Sequence, residues 1–193
     1  MGITQFTYDT FKKHGALNRN VRMLELGDQN IYFGDNYGKY AKEYFILLGI
    51  KEHISVDLGA HEGGAIEHDL SKPIERPEWI NYFDVVTNVG TSEHVSNLYE
   101  CFKNVHKFCK PNGLMFHENP QTESWKGHGF HYMTQAFYID LAALCGYEIL
   151  DIGQHAAMGN TTDGWNIYCI LKKLSDNEFI TEKQFNQLDF RKS

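Results

Sequence analysis

The sequence predicts an α/β protein built on a doubly wound, mostly parallel sheet of about seven strands with an antiparallel edge strand. Three observations predict it. Met23-Leu24-Glu25-Leu26-Gly27 and Ile54-Ser55-Val56-Asp57-Leu58-Gly59 are short apolar runs that each end in an acid and a glycine. Such runs suit buried parallel strands. Between them, Tyr37 to Gly49 has helical spacing, which makes a strand–helix–strand unit. The rest of the chain goes on alternating, until a last pair of strands with no full helix between them closes it.

Ile3 to His14 reads as a short amphipathic helix ahead of the sheet. Met23 to Leu26 is the first strand. Tyr37, Tyr40, Ala41, Tyr44, Phe45 and Leu48 recur at helical spacing, and Gly49 fits a C-terminal cap. Ile54 to Leu58 is the second strand, and Ala65 to Leu70 is a candidate third. Only a few residues separate Gly59 from Ala65, whereas a parallel crossover normally takes a dozen or more. Either a helix is missing there or the third segment is not a parallel neighbour. Phe83 to Val89 is an unbroken β-favouring run that ends at Gly90. Leu98 to Cys109 carries Leu98, Cys101, Phe102, Val105 and Cys109 on one helical face. Lys110-Pro111-Asn112-Gly113 has turn composition. Leu114 to His117 is the next strand, with Glu118 to His131 as a polar loop. Phe137 to Cys145 is helical and capped by Gly146. Tyr147 to Ile152 and Trp165 to Leu171 are strands, and Asp176 to Leu188 is a terminal helix.

At 193 residues the chain suits one domain over 1–193. A net charge of −7, with no run of Lys and Arg, argues against nucleic acid as a partner. No apolar stretch is long enough to span a bilayer, and the first residues lack an apolar signal core. Cys101, Cys109, Cys145 and Cys169 are scattered, which suits reduced, packing thiols in a cytoplasmic protein. The partner expected is a small-molecule substrate, and a homodimer is compatible with the sequence.

In such sheets small ligands bind outside the carboxyl ends of the strands, where Glu25 and Asp57 would stand. A carboxylate at the tip of the second strand can accept both hydroxyls of a ribose. The sequence therefore suggests an adenosine-containing ligand. His117, Glu118, His128 and His131 form a histidine-rich constellation. A neutral histidine can take a proton near pH 7, so His128, between two glycines, is a candidate base. The same residues could hold a divalent metal, but His117 and Glu118 would point to opposite faces of a strand and no tight ligand motif is present. The expectation is no metal. Trp125, Phe130, Tyr132 and Tyr138 add aromatic surface suited to stacking or to packing.

The order of elements from about Val21 to Leu171 resembles the class I S-adenosylmethionine-dependent methyltransferases, whose sheet is Rossmann-like. Glu25-Leu26-Gly27 looks like the family's first motif, Asp57 like its ribose-binding acid, and Asp84-Val85-Val86 like its fourth-strand motif. Lys110-Pro111-Asn112-Gly113 stands where the family usually has Lys-Pro-Gly-Gly. Asp57 to Leu70, Gly90-Thr91-Ser92-Glu93-His94-Val95 and Gly127-His128-Gly129-Phe130 resemble a branch of small methyltransferase-like proteins associated with surface-polysaccharide biosynthesis. The resemblance implies S-adenosylmethionine as cofactor, bound by Glu25, Gly27, Asp57, Leu58, Asp69, Asn88, Val89 and Gly90. It implies methyl transfer to a small acceptor, such as the hydroxyl of a saccharide or nucleotide-sugar, with His128 and His94 as the catalytic candidates. The chain departs from the family in one respect: Gly27 is followed by Asp28-Gln29-Asn30 and not by a glycine-rich turn. Two alternatives stay open, a non-catalytic binding protein with this fold and a metal-dependent hydrolase using His117, His128 and His131.

Overall fold

A computed structural model describes residues 2–59, 62–156 and 164–188. The strands are β1 (Arg22–Leu26), β2 (Glu52–Asp57), β3 (Ile66–Glu67), β4 (Phe83–Val89), β5 (Cys109–Pro120), β6 (Tyr147–Ala156) and β7 (Trp165–Lys173). They form one sheet in the order β3-β2-β1-β4-β5-β7-β6. Pairing is parallel from β3 across to β5. β7 runs antiparallel to both β5 and β6, so the closing hairpin makes one edge of the sheet. The helices are α1 (Gln5–Lys13), α2 (Ala41–Leu47), α3 (Leu98–Phe108), α4 (Gln135–Cys145) and α5 (Glu182–Phe185).

Alternation along the strands divides the core in two. Leu24, Leu26, Val56, Val86 and Met115 pack with Phe102 and Val105 of α3, Phe137 and Leu141 of α4, and Phe185. Met23, Val85, Val89 and Phe116 face the other way, toward Phe11 of α1 and Phe45 of α2. The doubly wound expectation therefore holds, with helices on both faces. All four cysteines are buried and unpaired, as core packing.

Several boundaries differ from the sequence reading, each for a local reason. α2 starts only at Ala41, because Gly38 is left-handed at φ +84 and Tyr40 is extended. β3 is a parallel neighbour of β2 after all, pairing Val56 with Ile66, and the described residues of the link hold no helix. A two-residue strand needs little length to reach. Lys110 to Gly113 does not leave the sheet. It forms an irregularity within β5, where the register on β4 jumps between Phe83 and Val85 and Asn112 takes φ +63. Glu118 to Pro120 continue β5 along β7, so the loop starts later than expected. The terminal helix shrinks to α5, which a capping box between Thr181 and Gln184 starts.

The Asp84 match falls at the amino end of β4, far along the strand from Gly90. Its carboxylate accepts from the Arg22 amide at 2.8 Å and from its guanidinium at 3.1 Å, and it pairs with Lys110. Burial pushes the Asp84 pKa up, but Lys110 and Arg22 outweigh that and hold it below the usual carboxylate range. A lowered folded-state pKa stabilises the fold above the unfolded value of about 3.9, and that contribution is lost as pH falls through the folded value. Chemical denaturation between pH 7 and pH 3 should therefore show stability falling in acid. Asp84→Asn should be less stable at pH 7 and show a shallower fall; an identical slope would remove Asp84 as a source.

Candidate active site

The carboxyl ends of the first four strands surround a cavity of about 450 Å³. Gly27, Asp28 and Gln29 line it after β1, Asp57 and Leu58 after β2, and His68, Asp69 and Leu70 after β3. Gly90, Thr91, His94, Val95 and Ser96 line it after β4. A cleft at the carboxyl edge of a doubly wound sheet is where such folds take ligands. Of the residues singled out in the sequence, Gly27, Asp57, Leu58, Asp69, Gly90 and His94 reach this cavity. Glu25, Asn88 and Val89 do not line it, being almost wholly buried in their strands.

Polar side chains shape the exit of β1 where a glycine-rich turn is missing. The Glu25 carboxylate accepts from the Gln29 amide at 3.3 Å. Burial pushes the Glu25 pKa up against the opposing influence of His53, which stands 3.8 Å away. Asp57 accepts from the Asp28 amide at 2.9 Å, and Asp28 in turn accepts from the Ser55 hydroxyl at 3.1 Å. Thr91 donates to the Leu26 carbonyl at 2.7 Å and accepts from the Gln29 side-chain amide at 3.0 Å. These bonds close around Gly27, which is left-handed at φ +81. A Cβ there would lie 2.4 Å from the Gln29 amide nitrogen and 2.6 Å from the Thr91 hydroxyl. Gln29 and Thr91 had no role of their own in the sequence reading. The signal was their position, each within two residues of the glycine that ends a strand.

Beside the cavity, a short 3₁₀ turn from Ser92 to His94 follows β4 and buries Glu93 completely. Glu93 accepts from the Asn119 side-chain amide at 2.9 Å through Oε2. Burial pushes its pKa up to about 7. Its backbone carbonyl accepts from the amides of Phe130 at 2.8 Å and His131 at 3.2 Å. That seam brings His128 beside His94, with ring centroids 4.9 Å apart. Burial lowers the pKa of both imidazoles, so both are biased toward the neutral form near pH 7. The expected grouping of His117, His128 and His131 does not form. His117 is buried, stacked on Phe102 at 4.9 Å, hydrogen-bonded to Asn88 at 3.1 Å and pushed down to about 3 by burial. His131 is hydrogen-bonded to the Val95 carbonyl at 3.0 Å. A hydrolase built on those three histidines has no shared site here.

No family model matches the sequence, and no curated protein matches it. Solved structures do match in fold. A 1,6-didemethyltoxoflavin-N1-methyltransferase from Burkholderia thailandensis, solved with bound 1,6-didemethyltoxoflavin and S-adenosylhomocysteine, superposes with a TM-score of 0.62 at 13% identity, covering 84% of this chain and 75% of that one. An S-adenosylmethionine-dependent methyltransferase from Mesorhizobium loti gives 0.60 at 14% identity, covering 83% and 95%. The cyclase SpnF gives 0.59 at 11% identity, covering 86% and 78%. At such identities the likeness speaks for architecture, and SpnF shows that the architecture also carries other chemistry. The chain has the fold of the class I S-adenosylmethionine-dependent methyltransferases.

Proposed function

We propose that the protein binds S-adenosylmethionine in the carboxyl-edge cavity and transfers its methyl group to an oxygen of a small acceptor. The observation that carries this reading is the juxtaposition of Asp57 and Gly27 on one cavity of about 450 Å³. The residues suit such a ligand: a carboxylate at the tip of β2, a second carboxylate at Asp69, and on the cavity wall a left-handed turn at Gly27 that Gln29 and Thr91 close around. Asp57 would accept the ribose hydroxyls: its carboxylate stands on the cavity wall and already accepts from the amides of Asp28 and Gly59 at the same strand tip. Asp69 would take the adenine amine, and Leu58 would cover the base. Gly27, Gly90 and the stitched exit of β1 would hold the methionine end. Glu25, Asn88 and Val89 would act from beneath, by fixing the loops that carry these groups.

When bound, the cofactor supplies an electrophilic methyl group on a sulfonium, so the protein's task is positioning and exclusion of water. His94, on the cavity wall, would face the acceptor with His128 beside it, and the acceptor's proton must leave as the new bond forms. The resemblance makes a saccharide or nucleotide-sugar hydroxyl the acceptor to try first.

S-adenosylhomocysteine should bind in calorimetry and raise the unfolding temperature; at a hundred times its dissociation constant the gain is about 2.7 kcal/mol. Asp57→Ala should weaken binding by about 1–3 kcal/mol through loss of a charged acceptor. A folded protein that gives no heat and no thermal shift would sink the reading. Labelled methyl from S-adenosylmethionine, followed into a panel of saccharides and cell extracts, tests turnover; binding without transfer to any acceptor would leave a binding protein with this fold.

Gly90 sits at φ +63 on the cavity wall. Gly90→Val should cost about 1–2 kcal/mol of stability from the left-handed backbone and also abolish ligand binding by filling the approach. Undiminished affinity in that variant would move the ligand elsewhere.

A further inference from the structure

Among the described residues, Glu93, His94 and His128 present three ligand-type atoms within 4.8 Å of one another. Oε1 of Glu93 lies 3.9 Å from Nε2 of His94 and 3.9 Å from Nε2 of His128. The Glu93 side chain is 0% exposed, and its Oε1 makes no hydrogen bond. Nε2 of His128 is likewise buried and makes none. Buried polar atoms in proteins are nearly always paired, so two orphans bordering one small space call for a common partner. A single proton does not bridge 3.9 Å, because hydrogen bonds of this kind span about 2.7–3.2 Å.

We propose that Glu93, His94 and His128 bind one divalent transition-metal ion. Two imidazoles and a carboxylate are the donor set that zinc and ferrous iron take, with positions left open. Tetrahedral bonds of roughly 2.0–2.2 Å put donor atoms about 3.4 Å apart, so each imidazole nitrogen must approach Glu93 Oε1 by about half an ångström from 3.9 Å. His94 can move, since its side chain is 46% exposed. The surrounding structure is built to hold the other two. The second Glu93 oxygen is fixed by Asn119, which is itself bonded to the hydroxyls of Ser92 at 3.0 Å and Tyr138 at 2.6 Å. Outer partners of this kind orient ligands. The His128 loop reaches Glu93 only because Gly129 has no side chain: a Cβ there would lie 2.8 Å from the Glu93 carbonyl oxygen. His94 lines the cavity, so an ion here would stand at its border. The role that follows rests on the methyl-transfer reading: an acceptor oxygen would occupy an open position and be made more acidic there. Metal binding itself does not depend on that reading.

The test uses the full chain, stripped with a chelator and dialysed against metal-free buffer. Zn²⁺ is titrated by calorimetry, Co²⁺ by its visible absorption, and the bound ion is counted by elemental analysis. One ion per chain is expected, with a thermal shift on binding. Glu93→Gln, His94→Ala and His128→Ala should each weaken Zn²⁺ binding at least about tenfold. His94→Ala guards against a folding artefact, because that side chain is nearly half exposed. No bound ion in the wild type, or wild-type affinity in both histidine variants, would overturn the proposal and assign any binding to other histidines. S-adenosylhomocysteine calorimetry on the stripped protein reads the cofactor site separately, so failure of one leaves the other standing.

Discussion

The cavity exists because the chain leaving β1 is tied down by side chains. Asp57, Thr91 and Glu25 each hold part of Asp28-Gln29, and those three anchors come from β2, from the exit of β4 and from β1 itself. The loop thus connects the tips of three adjacent strands, β2, β1 and β4. A glycine-rich turn reaches a tight bend through backbone freedom; this one reaches it through buried polar contacts, with a single glycine at the crowded point. Such contacts are specific but costly to break, since each loss strands a partner away from water.

The two ends of the sheet have different work. At the amino ends Asp84 ties β1, β4 and β5 together through Arg22 and Lys110. Near the carboxyl ends a buried polar strip of Asn88, Ser92, Asn119 and Tyr138 runs under Glu93. The strip is continuous, linking Asn88 to the Glu93 carboxylate through Ser92 and Asn119. Rigid support below and adaptable loops above is an arrangement suited to placing reactive groups.

Much of this was legible in the sequence. Short apolar runs marked the central strands, because a strand buried on both faces carries apolar residues on both, as in Phe83 to Val89. Asp57 and Gly90 were legible because an acid or a glycine just beyond such a run has few packing reasons to be there. The partnership of Glu93 with His94 and His128 was not. It depends on a seam between the Glu93 carbonyl and the amides of Phe130 and His131, between segments dozens of residues apart. His117 misled for the same reason: its burial against Phe102 is a property of packing and not of spacing. The Lys110 to Gly113 segment misled because turn composition also suits a bulge inside a strand.

The place of β7 has a consequence for how the chain is assembled during synthesis. β7 lies between β5 and β6, although it follows both in sequence. Its last residue, Lys173, is buried and donates to Asn81, to the His106 carbonyl and to the Cys109 carbonyl, at 2.8–2.9 Å. Those partners are made 64 to 92 residues earlier. Until β7 leaves the ribosome, β5 is an open edge and the end of α3 lacks its lysine. β6 can then compete for that edge in the wrong place, the kind of pairing error that exposed strand edges invite. The nascent chain thus has its central strands available early but cannot complete the sheet until β7 and its Lys173 have emerged.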